Sequence, residues 1–200
     1  MNTTSKDGSR VSLAAQEGDI DGLYTVIQEN PHVLEDIDSI PFVDTPLHVA
    51  ASVGHLRFVT KVMRLKSSFA WKLNLGGLTP IHLALQHGND KVVLRFVSIN
   101  KDHVRAKGRK GRTPLHLASK KLEINLLTKF LWACPNCIED VTVSSETDLH
   151  IPVRCGQFDM LRPNSSGSRY YREEIDGRCS IAVNLLINYV SAIALYLAFD

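Results

Sequence analysis

The same six-residue phrase is written three times in this chain, as Thr45-Pro46-Leu47-His48-Val49-Ala50, Thr79-Pro80-Ile81-His82-Leu83-Ala84 and Thr113-Pro114-Leu115-His116-Leu117-Ala118. A degraded copy follows at Thr147-Asp148-Leu149-His150-Ile151-Pro152, and successive copies lie 34 residues apart. A constant period of this size means one supersecondary unit copied along the chain. Such a unit cannot bury its apolar face alone, so the copies must stack, each touching its neighbours.

Thr followed by Pro marks a helix start. The Thr hydroxyl can cap a free N–H, and Pro suits the first helical position because its missing N–H had no intrahelical partner. Leu47, Ala50 and Ala51 then share one face of a short helix. Gly54, Gly88 and Gly156 each come four residues after the last residue of a copy, where a left-handed helix-ending residue costs least as Gly. A second helix follows in each unit, with apolar columns Phe58, Val59, Val62 and Met63, then Val92, Val93, Phe96 and Val97, then Leu126, Leu127, Phe130 and Leu131. This paired spacing gives one apolar stripe per helix, which is core. A further copy runs from Leu13 to Asp19, offset by 36 residues and followed by Leu23, Val26 and Ile27. It lacks Thr-Pro and is acidic, as a solvent-facing capping unit would be.

Through these three in-phase motifs the chain resembles the ankyrin repeat family over about residues 10–162. The resemblance implies an all-α solenoid of helix-turn-helix units joined by short inter-repeat loops, with repeats at 10–40, 41–74, 75–108 and 109–142 and a degenerate one at 143–163. It also implies that Thr45, Pro46, His48, Thr79, Pro80, His82, Thr113, Pro114 and His116 are structural, each His bonding its motif Thr and a neighbouring loop. A partner would be met by the projecting loops and the inner face of the first helices. Asn30-Pro31-His32-Val33-Leu34 and the stretch from Ala133 to Thr142 look like plant ankyrin proteins that carry a C-terminal membrane-spanning region and act in immune signalling. That likeness implies an adaptor role in plant defence.

The pattern then fails. Leu122 stands where the neighbouring units have Gly, and Asp148 and Pro152 replace Pro and Ala in the fifth copy. A helix-interior Pro costs about 3 kcal/mol. Met160 and Leu161 keep the column, but Pro163 ends the array. A polar linker, 164–180, leads to Ile181–Phe199, nineteen residues without a charge. As a helix this covers roughly 28 Å, close to a bilayer core of about 30 Å. Arg162, Arg169, Arg172 and Arg178 precede it and only Asp200 follows, so a single span would leave the repeats in the cytoplasm. The membrane-bound relatives have several spans, and here there is length for one. Against insertion, Asn184, Asn188 and Ser191 form a narrow polar stripe, which suits an apolar helix capping the open end of the stack in a soluble cytoplasmic or nuclear adaptor. Residues 1–9 read as a polar tail without a basic-then-apolar leader, and four irregularly spaced Cys suit reduced thiols in the cytosol.

Net charge is only +2, but it is segregated. Between Val11 and Leu56 there are eight acids and no Lys or Arg, whereas Arg57 to Trp132 carries sixteen Lys or Arg against Asp90, Asp102 and Glu123. The densest part is Lys101, Arg105, Lys107, Arg109, Lys110 and Arg112, in the loop between the third and fourth units, with Trp71-Lys72 in the equivalent loop one unit earlier. These are the candidate partner-binding residues, suited to a protein with an acidic surface; a solvated loop is the plainer reading. No aromatic lies between Lys101 and Arg112, which weighs against nucleic acid. Cys134-Pro135-Asn136-Cys137 has half-zinc or redox spacing, but it follows an apolar second helix in a turn, where structural cysteines are expected. No nucleophile-base set, complete metal set or cofactor fingerprint is present, so the expected role is non-enzymatic, with a Cys134- and Cys137-dependent enzyme as the outlying alternative.

Overall fold

A computed structural model describes residues 3–121, 123–134, 136–137, 140 and 142–143. All regular structure among these residues is helical. The expectations for Leu122, the degraded copy at Thr147, the linker and Ile181–Phe199 fall outside the described residues. The chain divides into two compact units, Met1–Arg109 and Lys110–Asp200.

The first unit contains three helix pairs: α1 (Thr3–Glu17) with α2 (Ile20–Glu29), α4 (Pro46–Val53) with α5 (Leu56–Leu65), and α6 (Pro80–Gln86) with α7 (Asp90–Ile99). α1 packs on α4 and α4 on α6, while α5 packs on α7. Like helices therefore stand beside like, as a repeated sequence column demands. Phe58, Val59, Val62, Met63, Val92, Val93 and Phe96 are all buried, and so are Leu47, Ala50, Ala51, Ile81 and Ala84 on the first helices. Ala at two turns of each first helix allows close helix approach, and each large apolar side chain removed from water contributes roughly 1.5–3 kcal/mol.

The connections between pairs are more ordered than simple loops. α3 (Val33–Ser39) fills the first, and five-residue 3₁₀ segments at Ser67–Trp71 and Lys101–Arg105 fill the next two. The reason is a further buried pair at constant spacing: Val33 and Leu34, Phe69 and Ala70, His103 and Val104. The N-terminal segment read as a polar tail is helical from Thr3, extending α1. Arg10 is paired with Glu29, and Asn30 Nδ2 donates to Asp7 Oδ2 at 3.1 Å, so polar contacts hold this part of α1 against the end of α2.

In the second unit α8 (Pro114–Lys121) packs on α9 (Ile124–Ala133). Leu115 and Ala118 are buried with Leu126, Leu127, Phe130 and Leu131, the same columns again. No helix among the described residues is long and apolar enough to cross a membrane.

Candidate functional site

Each first helix is set by its motif Thr and His. At Thr45 the backbone N–H donates to His48 Nδ1 at 3.2 Å, and the hydroxyl both lies 2.8 Å from that nitrogen and accepts from the His48 amide at 3.4 Å. Because Nδ1 accepts, the ring proton sits on Nε2, which donates to the carbonyl of Leu78 at 3.0 Å. One imidazole thus closes its own helix start and reaches the turn of the next repeat. Thr113 and His116 repeat the cap, with Thr113 N–H donating to His116 Nδ1 at 3.2 Å. Thr79 differs: its hydroxyl is 2.6 Å from His82 Nδ1 and makes no cap to a helix amide. Pro46, Pro80 and Pro114 open their helices as expected. Burial holds the His48 pKa below its ordinary value, since an imidazolium there would be poorly solvated.

The Leu78 carbonyl is itself positioned. Asn74 Oδ1 accepts from the amides of Gly76 and Leu78 at 2.9 and 3.0 Å, while Asn74 Nδ2 donates to Asp44 Oδ1 at 2.8 Å. The tip of this turn leaves Leu75 84% exposed. Arg109, in the following turn, lies against Gly77: a Cβ on Gly77 would come within 3.2 Å of Arg109 Cβ.

Trp71 ends its 3₁₀ segment 45% exposed, with its indole 4.7 Å from the buried ring of His103. His103 is fixed in turn by an edge contact with Phe96 at 5.6 Å and by a bond from Nδ1 to the Phe96 carbonyl at 3.0 Å. Burial lowers the His103 pKa, so the ring beneath Trp71 is neutral at neutral pH. Arg105 occupies the Trp71 position one repeat later and is exposed, as are Lys101, Lys107 and Arg109 along the same turn. These side chains share the first unit with Trp71. Lys110 and Arg112 belong to the second unit, Lys110 exposed with a left-handed backbone at φ 62° and Arg112 half-buried.

Lys72 does not join the exposed set. Its side chain is only 16% exposed, its ammonium lies 3.5 Å from Asp38 Oδ1, and it also donates to the Asp38 carbonyl. Lys66 reaches Asp38 Oδ2 at 3.3 Å, and Ser68 Oγ donates to the same oxygen at 2.7 Å. Burial works to raise the Asp38 pKa, but the Ser68 bond and the two ammonium groups outweigh it and hold the carboxyl below its ordinary value. The sequence showed an acidic first repeat and a basic second one; the fold sets charges from each against one another.

The family model for ankyrin repeats matches residues 11–105, in three copies. This stretch carries ankyrin repeats. The chain is also similar to the ankyrin repeat-containing protein BDA1 of Arabidopsis thaliana, with 45% identity over 71 residues. Those residues are 36% of this chain and 17% of that protein, so the chain spans well under two thirds of the relative it matches.

Within the ankyrin stretch, reading the sequence alone missed the contacts that lock one repeat to the next at the far end of each first helix. Asn89 Nδ2 donates to the carbonyls of Ala51 and Ser52 at 2.9 and 2.8 Å, and His55 Nε2 bonds the Gln16 carbonyl at 2.9 Å. His55 and Asn89 are 34 residues apart, so their shared column was the available signal. Their different side chains concealed it.

Beyond the ankyrin stretch, Cys137 is fully buried at the position that holds Phe69 and His103 in the two preceding repeats, and its amide donates to the Cys134 carbonyl at 3.1 Å. Cys134 is half-buried, and both thiols are free. The column position gives Cys137 a packing role. Among the described residues no three His, Cys, Asp or Glu side chains are grouped to hold a metal ion.

Proposed function

We propose that this chain is a non-enzymatic protein-interaction adaptor in plant defence or stress signalling, which takes a partner with an acidic surface through the turns of its ankyrin repeats. The observation that carries this reading is Trp71: nearly half exposed, yet seated on a ring that is itself fixed by Phe96. An aromatic held this way loses little conformational freedom on binding, which suits an anchor residue. Arg105 in the equivalent position of the next repeat, with Lys101, Lys107 and Arg109 beyond it, supplies the charge that steers an acidic partner and fixes its register. The likeness to an Arabidopsis ankyrin protein supports a plant setting. Leu13, Val49 and Leu83 recur on α1, α4 and α6 without being fully buried, and they extend the surface onto the first helices.

The uncharged segment Ile181–Phe199 would hold this module at a membrane, with the repeats on the cytoplasmic side. The polar stripe of Asn184, Asn188 and Ser191 favours the second reading, a soluble adaptor whose last helix covers the stack.

Proximity labelling in plant cells tests both parts. Intact protein, Trp71→Ala and a form lacking Ile181–Asp200 would be compared. Loss of specific neighbours in Trp71→Ala supports the anchor, and loss of membrane neighbours only in the shortened form supports the span. Identical neighbour sets for all three would defeat the reading.

A further inference from the structure

Ser68 sits at a junction where three other charged groups converge. Its hydroxyl donates to Asp38 Oδ2 at 2.7 Å, and Lys66 Nζ approaches that same oxygen at 3.3 Å, with Lys72 Nζ 3.5 Å from the other. Asp38 lies on α3, between the first and second repeats, and Ser68 lies in the 3₁₀ segment Ser67–Trp71 between the second and third. The hydroxyl therefore ties two successive inter-repeat segments together. Ser68 is exposed, and its N-terminal side carries Arg64 and Lys66. Kinases choose substrates partly by charge pattern, and an acidic peptide channel selects basic residues preceding the acceptor. A five-residue 3₁₀ segment is also a small structure to open, since its hydrogen-bond geometry is poorer than that of an α-helix.

We propose that Ser68 is a phosphorylation site for a basic-directed serine/threonine kinase, and that the phosphate takes Lys66 and Lys72 from Asp38 and releases α3 from the turn. In the transfer, Ser68 Oγ attacks the γ-phosphorus of ATP. The Oγ–P bond forms, the bond from that phosphorus to the bridging oxygen breaks, ADP leaves, and the hydroxyl proton passes to the kinase's catalytic carboxylate. That proton is the one now bonded to Asp38, so the esterified oxygen can no longer donate. The phosphate brings a charge of about −1.5 to −2 beside an ionised carboxylate, and it offers the two ammonium groups a stronger partner. The bond is thus replaced by repulsion at the same place. This inference does not depend on the identity of any partner.

The test uses the full chain with ATP, Mg²⁺ and the catalytic subunit of cyclic-AMP-dependent protein kinase. Mass spectrometry should place phosphate on Ser68, with Ser68→Ala losing it and Arg64→Ala slowing incorporation by about tenfold. A second sample carries phosphoserine at position 68 by codon suppression, which separates the effect of the phosphate from the act of writing it. Amide exchange in Val33–Ser39 should quicken by about fivefold, the size of a lost pair of this exposure, while Asp90–Ile99 serves as an unchanged control. Phosphate on Ser67 alone, or none on a chain whose circular dichroism is native, would overturn the assignment of the site. Unchanged exchange in Val33–Ser39 with phosphate at Ser68 would overturn the release.

Discussion

His48 and Thr45 form a closed pair: the Thr45 amide donates to His48 Nδ1, and the His48 amide returns a bond to Thr45 Oγ1. Since Nδ1 is occupied as an acceptor, the only ring proton points outward to the Leu78 carbonyl. Helix start and inter-repeat contact are therefore one unit, with the imidazole at its centre. His48→Ala should cost about 2–3 kcal/mol, the loss of a cap and of a buried hydrogen bond together. Urea unfolding of the two chains measures this directly, and a cost under about 0.5 kcal/mol would remove the ring from that role.

The same pair sets a pH dependence. Burial keeps His48 and His103 below the ordinary value of 6.5, so the unfolded chain binds protons that the folded one refuses. Their contribution to stability is complete above about pH 6.5 and is lost as pH falls below that value toward the lowered folded pKa. The melting temperature should fall between pH 7 and pH 5, with a shallower slope in His48→Ala. Equal slopes in the two chains would assign the acid sensitivity elsewhere.

Gly54 and Asn89 should be coupled. Gly54 has φ 98°, where a side chain is strained, and a Cβ there would come within 2.7 Å of Asn89 Oδ1. Gly54→Ala is expected to cost about 1–2 kcal/mol from the left-handed backbone alone, and more through displacement of the Asn89 cap. Asn89→Ala removes that second part beforehand. In a double-mutant cycle the combined loss should therefore be smaller than the sum of the single losses, by about 0.5 kcal/mol or more.

Asp38→Asn should destabilise the chain only modestly, by about 0.5–1 kcal/mol, because Lys66 and Lys72 remain partly solvated. The difference should shrink when the melts are repeated in 1 M NaCl. A loss that is unchanged by salt would point to the Ser68 bond rather than the ammonium groups.

Trp71→Ala should weaken capture of an acidic partner by about tenfold or more while leaving the melting temperature nearly unchanged, since half the indole is already in water. Arg105→Glu together with Lys107→Glu should slow association and flatten its salt dependence. Surface plasmon resonance at two ionic strengths separates the two effects. Lys72→Glu is expected to act on stability instead, through Asp38.

Much of this architecture was legible in the linear text. The Thr-Pro starts, the helix-ending Gly54 and Gly88, and the apolar columns of the second helices all follow from short-range rules: a missing N–H, a left-handed residue, a stripe at helical spacing. Those rules need no knowledge of what lies across the stack. The inter-repeat segments were harder, because Phe69, His103 and Cys137 share one buried column without sharing chemistry, and a lone buried His among them carries no period of its own. Lys72 was read as exposed for the same reason. Its partner Asp38 is 34 residues away, in another repeat, and a charge in a loop announces nothing about what faces it.

Sequence alone determined the unit, its length and its core, since these depend on periodicity and on the conformational limits of Pro and Gly. Tertiary structure decided which polar groups are spent on holding the stack and which remain for a partner. His48, Asn89, Lys66 and Lys72 are committed to carbonyls or carboxylates brought near only by stacking, whereas Trp71 keeps an open face because His103 supports it from beneath. That division rests on contacts between residues distant in sequence, and stacking alone creates them.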